Sequence, residues 1–167
     1  VDMSDVEEIE EEEVTAKEDI PESQEQEKAV LEPHNFRIQD NDLGAGGPKA
    51  KYKANMEAIH LLQTLEKEER LATPEEQEIL SRYVGWGGIP QAFEESNSSW
   101  ANEYLELKNT LSPEEYSAAR ASTLNAFYTS PIVIRSMYEA LENMGLKQGN
   151  ILEPSCGVGN FMGLIPE

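Results

Sequence analysis

The sequence predicts a mostly α-helical chain that leads, toward its C-terminal end, into the first β-α unit of a doubly wound α/β sheet. Three observations predict this. Apolar residues recur at three- and four-residue steps over four stretches between residues 49 and 124, the period of a helix with one buried face. Two of those stretches open on one start signal, Thr73-Pro74-Glu75-Glu76 and Ser112-Pro113-Glu114-Glu115. In each a hydroxyl caps the helix, proline takes the first helical position and glutamate closes a capping box. Finally, a short apolar run ending at Glu153 is followed by a Gly-x-Gly loop and a helix-like segment, with at most one short strand expected near Ile151.

Charge divides the chain first. With 13 Lys+Arg against 33 Asp+Glu the net charge is −20. Phosphate binding runs on Lys and Arg displacing counterions, so such a chain is a poor stand-alone binder of nucleic acid or of an anionic membrane surface. Residues 1–30 hold 13 acidic and 2 basic residues, a net of −11; residues 31–167 hold 20 and 11, a net of −9. Segment 1–32 therefore reads as an acidic, disordered linker, with an arm that docks on a basic partner or mimics DNA charge as the functional alternative. No apolar stretch approaches the roughly 20 residues of a membrane span, and the acidic start has no signal-peptide pattern. Cys156 is the sole cysteine, which rules out an intrachain disulfide and suits a reducing compartment. The chain starts at Val1, so a piece of a larger protein is expected.

Residues 33–125 read as a helical subdomain. Asp40 to Pro48, with Gly44, Gly46 and Gly47, is a loop that lacks the Gly-Lys-Ser/Thr ending of a phosphate-binding loop. The first helix spans Lys49 to about Leu71, with Met56, Ile59, Leu62 and Leu65 as its stripe and Ala58 and Leu61 beside them. The second runs from Pro74 to about Val84 and is expected to bury Ile79, Leu80, Tyr83 and Val84. Gly85-Trp86-Gly87-Gly88 breaks it. Trp86 is read as an indole plugging the helical core from a tight turn of positive-φ glycines, in preference to a platform for a base. Trp100, Tyr104, Leu107 and Leu111 share one face of the third helix, and the fourth runs from Pro113 toward Leu124. Neither His34 nor His60 has partners spaced as metal ligands, so both read as ordinary histidines.

Ser130 and Pro131 open a further helix whose buried face would be Val133, Ile134, Met137, Tyr138, Leu141 and Met144, ended by Gly145 at the position where glycine is favoured. Gly157 and Gly159 let backbone approach a ligand closely. Gly163 follows four positions on where a dinucleotide fingerprint has three, which argues against NAD.

The string Asn150-Ile-Leu-Glu-Pro-Ser-Cys-Gly-Val-Gly-Asn-Phe161 resembles the first S-adenosylmethionine motif of the adenine-N6 DNA methyltransferases, Leu-(Asp/Glu)-Pro-x-x-Gly-x-Gly-x-Phe. Phe127-Tyr-Thr-Ser-Pro131 resembles the motif that precedes it in that family. Residues 33–125, with Tyr-Val-Gly-Trp-Gly-Gly at 83–88, resemble the segment before this domain in large methylase–helicase proteins of conjugative elements and phages. The resemblance implies that residues 126–167 are the N-terminal part of a truncated Rossmann-like methyltransferase domain using S-adenosylmethionine. It implies that Thr129 and its neighbour Tyr128 touch the methionine end of the cofactor. Glu153 would bind the amino group, and Pro154, Ser155, Cys156, Gly157, Gly159 and Asn160 would pass along the methionine and ribose. Cys156 itself reads as a small loop filler with no catalytic constellation around it, and Phe161 as a packing residue.

The family's catalytic string, (Asp/Asn/Ser)-Pro-Pro-(Tyr/Phe), is not in these 167 residues, which hold no Pro-Pro pair. The expectation is therefore an inactive piece of a DNA adenine methyltransferase with weak or no cofactor binding. DNA and the remaining methyltransferase and helicase parts would be partners through the parent protein, in the cytoplasm of a bacterial or phage-infected cell. The alternative is a helical interaction or scaffold module that links enzymatic parts and has no ligand of its own.

Overall fold

The computed structural model describes residues 35–166. The acidic linker expected at 1–32 and His34 lie outside the described residues. Six α-helices follow in order among the described residues: α1 Pro48–Glu68, α2 Pro74–Ser81, α3 Ala101–Thr110, α4 Pro113–Ser122, α5 Pro131–Asn143 and α6 Asn160–Gly163, with 3-10 turns at Pro90–Phe93 and Ser98–Trp100. No strand occurs among the described residues, and Ile151–Glu153 is irregular.

Both capping boxes form. The Glu76 N–H donates to Thr73 Oγ1 at 3.3 Å while Glu76 Oε2 accepts from the Thr73 N–H at 2.9 Å. At α4 the matching distances are 3.2 Å from the Glu115 N–H to Ser112 Oγ and 2.8 Å from the Ser112 N–H to Glu115 Oε2. Arg70, just beyond α1, adds a fork onto Glu76 at 2.6 and 2.7 Å. That guanidinium, with the Thr73 N–H behind it, holds the Glu76 carboxyl at about 2.

One core is built on aromatic rings. Trp86, 3% exposed, packs edge-on against Phe93 at 5.4 Å between centroids and lies 6.1 Å from Tyr52, which in turn meets Trp100 edge-on at 6.0 Å. Met56, Ile89, Ala92 and Leu107 complete this core. The indole is thus the expected plug. Gly85 and Gly88 take the expected positive φ, at 72° and 76°, and Gly87 does not. The turn enters the core because Asn55, fully buried on α1, answers its backbone: Nδ2 donates to Gly85 O at 2.7 Å and Oδ1 accepts from the Val84 N–H at 2.9 Å. Buried backbone groups need such partners.

A second, smaller core joins Ile38, Ile134 and Leu164, with Phe36, Leu43, Tyr138 and Phe161 packed on it. The strap 35–43 is bound there by backbone: the Ile38 N–H donates to Gly163 O at 2.8 Å, and Arg135 donates to Ile38 O at 2.9 Å.

Several expectations need correction. Helix α2 stops at Ser81 and buries no residue fully; Ile79 and Leu80, with Tyr83 and Val84 beyond its end, are half-buried. Helix α4 stops at Ser122, and Leu124 is exposed. Leu62 also lies exposed on α1. On α5 only Pro131 and Ile134 are buried; Val133, Met137, Leu141 and Met144 are exposed and Tyr138 is half-buried. Periodicity identifies an apolar face, but covering it takes a neighbouring element, and none among the described residues lies on this one. Gly145 ends α5 at φ 97°, as its position predicts.

Two outcomes follow from this framework. Asn55→Ala leaves the Val84 N–H and Gly85 carbonyl without partners and should destabilise the chain by about 2–4 kcal/mol in a denaturant titration. Glu76 has a folded pKa below its ordinary 4.5, so its contribution is present above 4.5 and is lost as pH falls through about 2. The melting midpoint should therefore fall across that window, and Arg70→Ala should flatten the fall; an unchanged slope in that variant would disprove the coupling.

Candidate functional site

Segments 126–130 and 153–160 come together although more than twenty residues separate them. Asn160, 9% exposed, caps the approach: its Nδ2 donates to Thr129 O at 3.2 Å. The Tyr128 ring reaches Gly157 so closely that a Cβ built on that glycine would stand 2.6 Å from the ring's Cε1. Gly157 and Gly159 hold φ values of 53° and 85°, a left-handed region that favours glycine. The Gly159 N–H closes the loop onto Cys156 O at 2.7 Å. Space around the Gly159 α-carbon is open, so conformation alone demands glycine there.

Glu153 is half-buried, and its Oε1 accepts from the Ser155 N–H at 2.8 Å, which folds the carboxylate back onto its own loop. Pro154, Ser155 and Cys156 are exposed, and Thr129 is half-buried. Tyr138 of α5 donates to Phe161 O at 2.9 Å. Burial raises the Tyr138 phenol, and the Glu153 carboxylate adds to the rise. The loop thus sits with an acid at its entry and the short helix α6 at its exit.

A cleft of about 660 Å³ opens beside Val158, Gly159 and Asn160, walled by Phe36, Gln77 and Leu80. Gln77 Oε1 is buried there without a hydrogen-bond partner among the described residues. A second apolar cleft of about 620 Å³, between Ile59 and Leu62 of α1 and Ala119 of α4, reaches Tyr83, Trp86 and Tyr128. The structure therefore brings Tyr128, Thr129, Gly157 and Asn160 into contact and leaves Pro154, Ser155 and Cys156 facing outward. Sequence reasoning passed over Phe36 and Gln77, because nothing in their local pattern marks residues so distant in sequence as neighbours of the loop. His60 is exposed, with Nε2 3.4 Å from Thr110 Oγ1. No helix among the described residues is long and apolar enough to cross a membrane.

The chain matches no family model, no curated protein and no solved structure in the comparisons made with each.

Gly87 ties the Trp86 turn to the segment that carries Tyr128. A Cβ on Gly87 would fall 2.2 Å from Ala126 O, a backbone atom that cannot swing away. Gly87→Ala should destabilise by about 1–3 kcal/mol, or more if the turn cannot shift; thermal unfolding checks it, and a native-like midpoint would show the turn to be plastic.

Proposed function

We propose that residues 126–166 form one wall of an S-adenosylmethionine site in a DNA adenine-N6 methyltransferase, with the helices of 48–122 as its supporting module. The observation that supports this reading best is the meeting of the two motif segments, Tyr128 on Gly157 and Asn160 on Thr129, around a loop that turns on two left-handed glycines. A backbone loop of this kind admits a ligand at close range. Glu153 offers the charge a cofactor ammonium needs: Oε1 is occupied by the Ser155 N–H, and Oε2 has no hydrogen bond among the described residues. In this reading Glu153 binds the ammonium, Thr129 and Tyr128 flank the methionine, and Pro154 to Asn160 line its path toward the ribose.

These residues hold and orient a cofactor and do not transfer a methyl group. The string that would orient the target adenine is not in the sequence, and the net charge of −20 repels DNA. The helical scaffold is the second reading, and the exposed apolar residues of α5 favour it, because such a face invites a protein neighbour.

Isothermal titration of S-adenosylmethionine tests the first reading. One wall of a site lacks several polar contacts worth roughly 0.5–1.5 kcal/mol each, so binding is expected to be weak, two or more decades below that of a closed site. Weak heat that disappears with Glu153→Ala supports the assignment. Heat that is unchanged by that substitution excludes Glu153 as the ammonium partner. No DNA methylation is expected from these residues.

A further inference from the structure

The Tyr128 ring touches two glycines. A Cβ on Gly157 would lie 2.6 Å from Cε1, and a Cβ on Gly85 would lie 2.6 Å from Cε2. These atoms are on opposite edges of the ring, so the ring is wedged between the Trp86 turn and the Gly157–Gly159 loop. Behind Gly85 stands Asn55, whose carboxamide fixes that residue's carbonyl at 2.7 Å and the Val84 N–H at 2.9 Å. A continuous series of contacts therefore runs from α1 through Asn55, Gly85 and Tyr128 to Gly157. Its parts are stiff: a carboxamide held at both ends, a planar ring and two lengths of backbone. Repulsion at van der Waals contact is steep, so a shift at one glycine is passed to the other.

We propose that Tyr128 is a positioning residue that sets the Gly157–Gly159 loop from the helical module, with Asn55 as the anchor of the series. Any contact that moves α1 or the Trp86 turn then alters the loop. The functional meaning, control of cofactor binding by the helices, rests on the reading of the loop as a cofactor wall; the mechanical coupling does not. The ring carbons make the nearest approach to both glycines, so phenylalanine should serve as well as tyrosine.

Cys156 supplies the readout, since it is exposed, is the sole cysteine and adjoins Gly157. Its rate of reaction with a disulfide reagent such as dithiobis(nitrobenzoate), measured without any cofactor, reports the loop. Tyr128→Ala should change that rate roughly threefold or more, as local opening does, and Tyr128→Phe should restore it. Asn55→Ala should move the rate in the same direction, whereas Leu105→Ala, an exposed α3 position off the series, should not. Circular dichroism of each variant separates local change from unfolding, and Tyr128→Ala decides the matter alone if Asn55→Ala unfolds. Native thiol rates in a folded Tyr128→Ala, or a Tyr128→Phe variant that behaves like Tyr128→Ala, would overturn the proposal. Cofactor titration forms a separate arm: its outcome bears on the cofactor reading alone and leaves the thiol rates, and the coupling they report, as they stand.

Discussion

A buried carboxamide on α1 sets the geometry of the helical region. Asn55 lies among Tyr52, Met56 and Ala58, where the periodicity of α1 alone would call for an apolar residue. It is tolerated because both ends of its amide are satisfied by the backbone of Val84 and Gly85. In return the chain leaving α2 dives into the interior without stranding polar groups, and Trp86 follows it inward. The edge-on contacts of Trp86 with Phe93 and Tyr83 depend on that entry. The reverse face of the same turn meets Tyr128. One side chain thus fixes the aromatic core on one side and the start of the glycine-loop region on the other.

The two cores cohere in different ways. The first is a nest of large rings, where area and edge-to-face contact provide the stabilisation. Its rim is tied down by charge: Lys49 sits 4.2 Å above the Trp100 ring while pairing with Glu103. The second has three buried hydrophobic residues and leans on directed bonds instead, with the strap 35–43 laced to α5 and α6 through Ile38, Arg135 and Gly163. Gly163 is part of that lacing, because a Cβ there would stand 2.6 Å from Ile38 Cδ1. Such a core depends on local geometry more than on buried area.

What the sequence made legible is local in origin. Thr73 and Ser112 cap helices with residues three positions away, and Pro74, Pro113 and Pro131 begin them, so the signal and its consequence lie in one short window; Pro48, read as the end of a loop, also begins a helix. Trp86 could be read as a plug because a large ring between glycines has few other places to go. Asn55 could not, since its partners are some thirty residues away and a polar residue on an apolar stripe carries no mark of what will answer it. The strap was equally opaque: Phe36 and Ile38 sit beside α1 in sequence and beside Gly163 in space. In the candidate site, the glycines and the start of α5 at Pro131 were readable from spacing, although the Ser130 hydroxyl makes no cap bond to that helix. The wedging of the Tyr128 ring was not, because it needs two glycines from different segments to arrive at opposite edges of one ring.

The open face of α5 gives this molecule an unusual colloidal balance. Met144, at the end of the helix, is 76% exposed, with Val133 and Met137 also facing outward. Patches of this kind attract one another, while the net charge of −20 holds the molecules apart. The repulsion is long-ranged and the attraction acts only at contact, so added salt weakens the first, with a screening length of about 8 Å at physiological ionic strength, and leaves the second intact. Self-association should accordingly grow with salt, the reverse of what ion-paired assemblies do, and light scattering through a salt series would register the sign of that trend directly.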